Sequence, residues 1–388
     1  MQNLSKDIHQ KMSRHQAFFR GEGPGLLLLQ AAYAELYDLT NYAERFDNPE
    51  RMFKAELDRA LSVVDWPTDG IPTVRPNLGT VFVPDTFGQD YQVKPDAMPW
   101  PGEPLSREAI RATARQGHRR SGAAGTERGA QGGGETVSGA GAGGTATADG
   151  LFERAAAFYR LAAREDRVYA YHADTQGVFD VAHLLYGEDI FLDLATDDER
   201  PWVRELLDLC LDRYVEISKL IKDAIDEPAG SMVHGHGTEQ GIYFPHAGVR
   251  MAEDTATLLS PAMIEDDLLP YMEASAEPFG GAFVHYCGKH DGLFRLLCAA
   301  PWCRAIDLGN PEAYDPQWLF ENAAQTETVL YTRLPSLAPE GPLDYITRLA
   351  TMASEAGTRL VLRSTVVPES RGQAEEMLGT FHELTSPR

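Results

Sequence analysis

Short apolar runs alternate with amphipathic helical patterns along most of this 388-residue chain. Several of the runs are continuous, as is typical of parallel strands that helices cover on both faces. The candidate strands are residues 25–29, part of 73–83, 168–173, 249–254, 282–287, 304–308, 329–334 and 360–363.

The segments between these runs show clear helical faces and ends. Residues 203–225 carry one apolar stripe at helical spacing. Ser260 and Pro261 predict a helix start, with an N-cap residue followed by proline at the first helical position. A further helix is predicted over residues 342–356, with Gly357 as its stop.

Eight strands that alternate with helices predict an α/β protein, a (β/α)₈ TIM barrel, over residues 1–388 as a single domain. A doubly wound open sheet is the alternative. A G-x-G-x-x-G motif is missing after the first strand, which argues against a dinucleotide-binding fold.

One segment departs from this pattern. Residues 116–150 consist mainly of Gly, Ala, Thr and Ser and hold almost no large apolar side chain. Such a composition does not bury enough surface to offset the entropy of ordering it. We expect a flexible low-complexity insertion within the barrel, although an artefact of the sequence would look the same.

Charge and cysteine content narrow the function classes. The formal net charge of −23 argues against non-specific binding to nucleic acid or to an anionic membrane. The four cysteines form no regular disulfide framework, and the first 20 residues do not resemble a secretory signal. We expect a soluble cytoplasmic protein.

The most specific chemical signal is His285-Tyr286-Cys287-Gly288 at the end of an apolar run. Side chains alternate along a strand, so His285 and Cys287 point to the same side. An imidazole and a thiolate together suit Zn²⁺. Two structural residues, a core histidine and a buried cysteine, are the alternative.

Polar residues also follow most of the other predicted strands. In a barrel the carboxyl ends of the strands meet at one mouth, where functional groups collect. Strand-end capping and turn formation explain part of this set. The strand-end candidates are Asp85, His172, Glu253, Asp254, Arg333 and Arg363.

A second group of histidines precedes the fourth strand. His234, His236, Glu239 and His246 lie in or near a glycine-rich stretch from which they would reach a metal ion. A glycine-rich lid whose histidines only form hydrogen bonds is the alternative interpretation.

Three segments together resemble the uroporphyrinogen decarboxylase superfamily. They are residues 254–261 with Leu-Leu-Ser-Pro, residues 268–271 with Leu-Leu-Pro-Tyr, and residues 281–288 with the His-x-Cys-Gly strand end. Residues 177–187 are similar to the turn and helix that follow the third strand of that family. The resemblance implies a (β/α)₈ barrel and is more specific for fold than for activity.

The superfamily implies two chemistries. Its decarboxylases remove carboxyl groups from a tetrapyrrole without a cofactor, using an acidic residue and arginines near the N-terminus. Its methyltransferases hold zinc through His-x-Cys and a distant cysteine. That zinc lowers the pKa of a bound thiol, which then accepts a methyl group from a corrinoid protein.

This chain departs from both patterns. Residues 30–36 lack the arginines of the decarboxylases, and His183 stands where a tyrosine is expected. Asp85 matches the position of the acidic residue. The distant cysteine is missing after Cys303, so a third metal ligand has to come from Glu239, His246, Asp254 or another strand end.

Three hypotheses follow. The first is a zinc-dependent methyltransferase-like enzyme that acts on a small substrate, with a corrinoid protein as methyl donor and a homodimer as the candidate assembly. In it His285 and Cys287 bind the metal, Asp254 and Glu253 orient ligands or act as base, and Asp85 contacts the substrate. The substrate-binding candidates are Arg333, Arg363, His172 and His183.

The second hypothesis is a tetrapyrrole carboxy-lyase that acts through Asp85. The third is a non-catalytic barrel that binds a ligand or a corrinoid partner. If the barrel prediction holds, His285, Cys287, Asp254 and Asp85 should line one end of one cavity.

Overall fold

The computed structural model describes residues 2, 4–30, 41–113, 150–236, 239–326 and 328–387. Of the predicted glycine-rich insertion, residues 116–149 lie outside this range. Over the described residues, no helix combines the length and the apolar character that crossing a bilayer requires.

Twelve strands are formed by the described residues. They are β1 Leu26–Leu28, β2 Ile71–Val74, β3 Tyr91–Lys94, β4 Ala97–Pro101, β5 Tyr169–Ala170, β6 Met232–His234, β7 Gln240–Phe244, β8 Val249–Ala252, β9 Ala282–Tyr286, β10 Cys303–Leu308, β11 Val329–Thr332 and β12 Leu360–Arg363.

Helices connect and cover these strands. They are α1 Lys6–Phe19, α2 Tyr42–Phe46, α3 Pro49–Leu61, α4 Phe82–Asp85, α5 at 107–113, α6 Gly150–Ala162, α7 Val178–Tyr186, α8 Asp189–Ala195, α9 Arg200–Ala224, α10 Pro261–Met263, α11 Leu269–Ala276, α12 Asp291–Ala299, α13 Pro316–Gln325, α14 Pro342–Ala356 and α15 Arg371–Thr385. Single 3₁₀ turns include Gly79–Val81 and Thr255–Leu258, and Ile264–Leu268 is a π-helical turn.

Six strands form a parallel sheet in the order β1-β12-β11-β10-β9-β8. A second sheet has the order β5-β2-β7-β6, in which β2 pairs with β5 in parallel and with β7 antiparallel. The α/β prediction is therefore confirmed, with a parallel central sheet as in TIM-like barrels. Over the described residues, the strand ladders form separate sheets rather than one closed ring.

The inner face of the six-stranded sheet packs against the β6–β7 hairpin. Leu28, Phe283, Tyr331 and other alternate strand residues form one buried cluster with Ile242 and Phe244 of the hairpin. The intervening strand residues pack outward against the helices in a second, larger cluster. Burial of both strand faces explains the continuous apolar runs in the sequence.

The predicted helix starts and stops are present. The Ser260 hydroxyl accepts a hydrogen bond from the Met263 amide, and α14 ends at Gly357, whose φ is 77°. The second predicted strand is shorter than expected, because it ends at Val74 and residues 79–85 are helical. The φ of 66° at Gly79 breaks the extended chain before this helical segment.

Helix α1 covers the amino end of the sheets through a buried histidine. The Nε2 atom of His15 lies 2.9 Å from the carbonyl oxygen of Asp69, and the Tyr243 amide donates to its Nδ1 at 3.0 Å. These bonds fix a neutral imidazole that donates from Nε2. Burial lowers the pKa of His15 to about 4, although Asp69 acts in the opposite direction.

We expect His15 to make the fold acid-sensitive. Its folded pKa lies below the unfolded value near 6.5, so the unfolded chain binds more protons and stability falls as the pH drops from about 6.5 towards 4. Between about pH 7 and about pH 4.5, the free energy of unfolding should fall by roughly 2–3 kcal/mol more in the wild type than in His15→Gln. Urea denaturation at the two pH values measures this difference. An equal loss in both proteins would contradict this assignment.

Candidate metal centre

The candidate metal centre lies at the carboxyl ends of β8, β9 and β10. His285 pairs in register with Asp307, and both side chains are buried. They lie two positions after Phe283 and Ala305, which belong to the cluster on the inner face of the sheet. His285 and Asp307 therefore also face the interior.

The two ring nitrogens of His285 have different partners. Nδ1 lies 2.7 Å from Oδ2 of Asp307, whereas Nε2 lies 3.5 Å from Sγ of Cys287 and 3.6 Å from Oδ1 of Asp254. The carboxylate accepts a hydrogen bond from Nδ1–H, so the lone pair of the neutral imidazole is on Nε2. Nε2 is thus prepared as a ligand atom beside a sulfur and an oxygen.

Asp254 also fixes the backbone of the cysteine. Its Oδ1 accepts a hydrogen bond of 2.6 Å from the Cys287 amide. Partial shielding from water, and then the charge of Asp254, raises the pKa of the Cys287 thiol to about 12. The Asp254 carboxylate and a Cys287 thiolate would repel each other, and a cation placed between them would offset this repulsion.

These donors fit a zinc ion. The ligand atoms of Asp254, His285 and Cys287 all lie within 4.8 Å of one another. Imidazole, thiolate and carboxylate are common zinc ligands, and three of them leave one position for substrate. Asp307 accepts a hydrogen bond from the other ring nitrogen of His285, as a carboxylate commonly does for a metal-binding histidine.

A second histidine shares Asp307. Nδ1 of His236 lies 2.8 Å from Oδ2 of Asp307, and the His236 ring centre is 4.4 Å from that of His285. Burial alone would raise the pKa of Asp307, but the two histidines hold it well below its usual range. His236, His285 and Asp307 form a second group of possible ligands.

His236 also has a left-handed backbone, with φ of 46°. This conformation is uncommon for a residue other than glycine. The sequence indicates the His234-x-His236 pair but gives no sign that His236 meets Asp307, which is 71 positions further along the chain.

Gly309 makes room for the thiol. A Cβ atom added there would lie 2.5 Å from Sγ of Cys287 and 2.9 Å from its Cα. We expect Gly309→Ala to displace Cys287 and to weaken zinc binding at least about tenfold. Competition with a zinc chelator measures this, with Gly372→Ala as the control because its added Cβ finds only Ser370 Oγ, at 3.9 Å. Equal affinity in the two variants would contradict the geometry.

Glu253, a candidate base, lies at the start of α7. Its carboxylate accepts hydrogen bonds from the amides of Phe179 and Asp180 at 3.4 and 3.2 Å. Burial, and then the charge of Asp180, raises the pKa of Glu253 well above its usual value. These contacts are those of a helix-capping carboxyl group.

Asp180 likewise caps the start of a helical segment with its carboxylate. Its carboxylate accepts hydrogen bonds from the amides of Asp254 and Thr255 at 3.0 and 2.8 Å, at the start of the 3₁₀ turn. Burial, and then Asp254, raises the pKa of Asp180 to about 7. Asp180 was not among the predicted site residues, because nothing in the sequence indicates that two distant helix starts exchange carboxylates.

Two predicted ligands lie elsewhere. His246 lines a cavity of about 480 Å³ together with Cys303 and Thr328, at the amino ends of β10 and β11, whereas Cys287 follows the carboxyl end of β9. Glu239 is buried beside β2, where its carbonyl oxygen accepts from the Thr73 amide at 2.8 Å. Over the described residues, neither group of ligand atoms at His285 includes them.

Asp85 does not join the other predicted site residues in the ligand groups found among the described residues. It lies in α4, and its Oδ2 accepts a hydrogen bond of 3.4 Å from the Leu151 amide at the start of α6. The common cavity wall predicted for it with His285 stays a prediction. A helix over residues 82–85 replaces the strand end that the sequence suggested there.

The remaining candidates have contacts of their own. His183 contacts Thr255 Oγ1 at 3.3 Å and Glu188 at 3.2 Å. His172 is buried, with Nε2 at 3.7 Å from Glu227. Arg333 donates to the Gly309 carbonyl at 2.7 Å, and Arg363 is buried at the end of β12.

Comparison with known proteins supports the fold. Neither the family models nor the curated proteins contain a match to this sequence. Among solved structures, a methyltransferase from Methanosarcina mazei is similar, with a TM-score of 0.59 and 14% identity over 96% of this chain and 98% of that one. At this identity the similarity shows a shared fold.

Proposed function

We propose that this protein is a zinc-dependent methyltransferase-like enzyme that transfers a methyl group from a corrinoid protein to a small thiol. One observation carries the proposal: His285 presents Nε2 to Cys287 and Asp254 while Asp307 holds its other nitrogen. The resemblance of the His-x-Cys-Gly segment and the fold shared with a methyltransferase support it.

Asp254, His285 and Cys287 would hold the metal, which when bound lowers the pKa of a thiol so that its sulfur accepts the methyl group. The other residues position these donors. Asp307 fixes the ring of His285, Asp254 anchors the Cys287 backbone, and Gly309 leaves space for the cysteine sulfur.

The test is methyl transfer from methylcobalamin to 2-mercaptoethanol by the zinc-loaded protein. The thiol loses its proton and forms a carbon–sulfur bond, while the carbon–cobalt bond breaks and cobalt keeps both electrons. Loss of the methylcobalamin absorbance and formation of the methyl thioether, detected by mass spectrometry, should both depend on the protein.

The two other hypotheses predict different results, one of them in a separate porphyrinogen assay. Release of carbon dioxide from a porphyrinogen, without added metal, would favour the carboxy-lyase that acts through Asp85. Thiol or corrinoid binding without turnover would favour a non-catalytic barrel. A methyl-transfer rate equal to that of the protein-free control would contradict the proposal.

A further inference from the structure

The cavity beside His246 lies at the opposite end of the six-stranded sheet from the candidate metal centre. Its volume of about 480 Å³ is in the range of sites for small ligands. It lies at the amino ends of β10 and β11, and its polar lining comes from His246, Arg304, Thr326, Thr328 and Arg359. The proposed methyl transfer uses none of these residues, so the cavity has room for a separate role.

The charge on the wall of this cavity is positive. Arg304 and Arg359 line it, and none of the described lining residues is an aspartate or a glutamate. The whole chain, by contrast, has 58 acidic and 35 basic residues. A concave wall with charges of one sign focuses the field and attracts ions of the opposite sign. The cavity is therefore a local site for an anion on an acidic protein.

A β-bulge places Arg304 on this wall. The pairing of β9 with β10 shifts by one position, because Ala282 pairs with Cys303 whereas Phe283 pairs with Ala305. Arg304 is the extra residue, and it is the one exposed residue of an otherwise buried strand. Among the described residues, its guanidinium has neither an ion-pair nor a hydrogen-bond partner. Bulges re-aim a side chain and are frequent next to functional sites.

Gly281 makes room for the Arg304 side chain. A Cβ atom at Gly281 would lie 2.9 Å from Cγ and 3.0 Å from Nε of Arg304, and 2.5 Å from the carbonyl oxygen of His246. Its φ of 137° also lies in the region that favours glycine. The arginine side chain and the backbone of His246 therefore approach each other closely beside this glycine.

The second guanidinium is held at the same wall. Arg359 donates to the Phe19 carbonyl at 3.1 Å, which fixes its position beside the cavity. Thr326 and Thr328 add two hydroxyl groups, whose oxygens lie 2.9 Å apart. The planar guanidinium matches the spacing of phosphate oxygens and binds them through paired hydrogen bonds. Two such groups on one wall fit a phosphate.

We propose that this cavity binds the phosphate group of a small molecule, with Arg304 and Arg359 as its main ligands. The inference is independent of the proposed function. A phosphate dianion would neutralise both guanidinium charges and would give Arg304 a partner. Because the candidate metal centre lies at the carboxyl ends of the strands, the bound molecule would act as an effector or a stabilising ligand, not as the methyl acceptor.

Titration calorimetry of the full chain with glycerol 3-phosphate, in a buffer without phosphate, tests this proposal. Glycerol is the matched ligand that lacks the phosphate group. We expect glycerol 3-phosphate to bind with a dissociation constant below about 1 mM, and glycerol to show no measurable binding. In Arg304→Gln the affinity for glycerol 3-phosphate should fall at least about tenfold, because one of the two guanidinium groups is lost.

Two variants serve as controls. Arg371→Gln removes one positive charge from exposed α15 and should bind glycerol 3-phosphate as the wild type does. Cys287→Ala alters the candidate metal centre and should also keep this affinity. Equal affinity in the wild type and Arg304→Gln, or no binding by the wild type, would overturn this inference and leave the proposed function standing. Loss of binding in Cys287→Ala would also overturn it, because the phosphate would then bind at the metal centre.

Discussion

Replacing Cys287 with alanine should remove bound zinc from this protein and abolish methyl transfer. The substitution leaves only the imidazole of His285 and the carboxylate of Asp254 at the centre. Structural zinc sites gain about 10–16 kcal/mol from their full set of ligands, so losing one donor should weaken binding on the order of a thousandfold. Elemental analysis should find about one zinc per wild-type chain and essentially none in Cys287→Ala.

Matched controls separate the two ends of the six-stranded sheet. His285→Ala should lose zinc, whereas His246→Ala should keep it, because His246 lines the cavity at the amino ends of β10 and β11. Cys298→Ala replaces another cysteine at that cavity and should also keep zinc. Zinc that persists in Cys287→Ala but disappears in His246→Ala would show that the metal binds elsewhere.

Among glycine-to-alanine substitutions near the site, Gly177→Ala should destabilise the fold most. A Cβ atom at Gly177 would lie 2.3 Å from the carboxyl carbon of Glu253 and 2.6 Å from the Ala252 carbonyl oxygen. Glu253 is fully buried, so it has no free space into which to move. The substitution forces the carboxylate away from the start of α7, and overpacking is added to the lost cap.

We expect the free energy of unfolding to fall by roughly 3–5 kcal/mol in Gly177→Ala, measured by urea denaturation. Gly379→Ala is the matched control. Gly379 lies inside α15, where an added Cβ meets nothing within 4 Å, so this variant should gain roughly 0.5–1 kcal/mol. Similar stability in both variants would show that Glu253 does not hold the position described here.

The strands of the six-stranded sheet were predictable from local patterns because most of them are short, buried apolar runs. The ends of the run at 360–363 coincide with those of β12. The β6–β7 hairpin was missed, because its strands have three and five residues and the histidines at and after the end of β6 suggested a lid. The second strand was expected in part of residues 73–83, where β-branched and aromatic residues are frequent, but residues 79–85 are helical because tertiary packing overrides that preference.

The site was predictable to the extent that its residues are close in sequence. His285 and Cys287 share one strand end, and Asp254 follows the neighbouring strand. The pairing of Asp307 with two histidines depends on strand register and on the hairpin turn, neither of which is set by local sequence. The capping roles of Asp85 and Glu253 likewise depend on helices that only the folded chain brings near.

The packing of the hairpin against the six-stranded sheet has a consequence for folding. Ile242 and Phe244 share one buried cluster with Leu28 of the first strand and Val361 of the last. Contacts between residues so far apart in sequence require the closure of long loops, so we expect this interior to assemble late in folding.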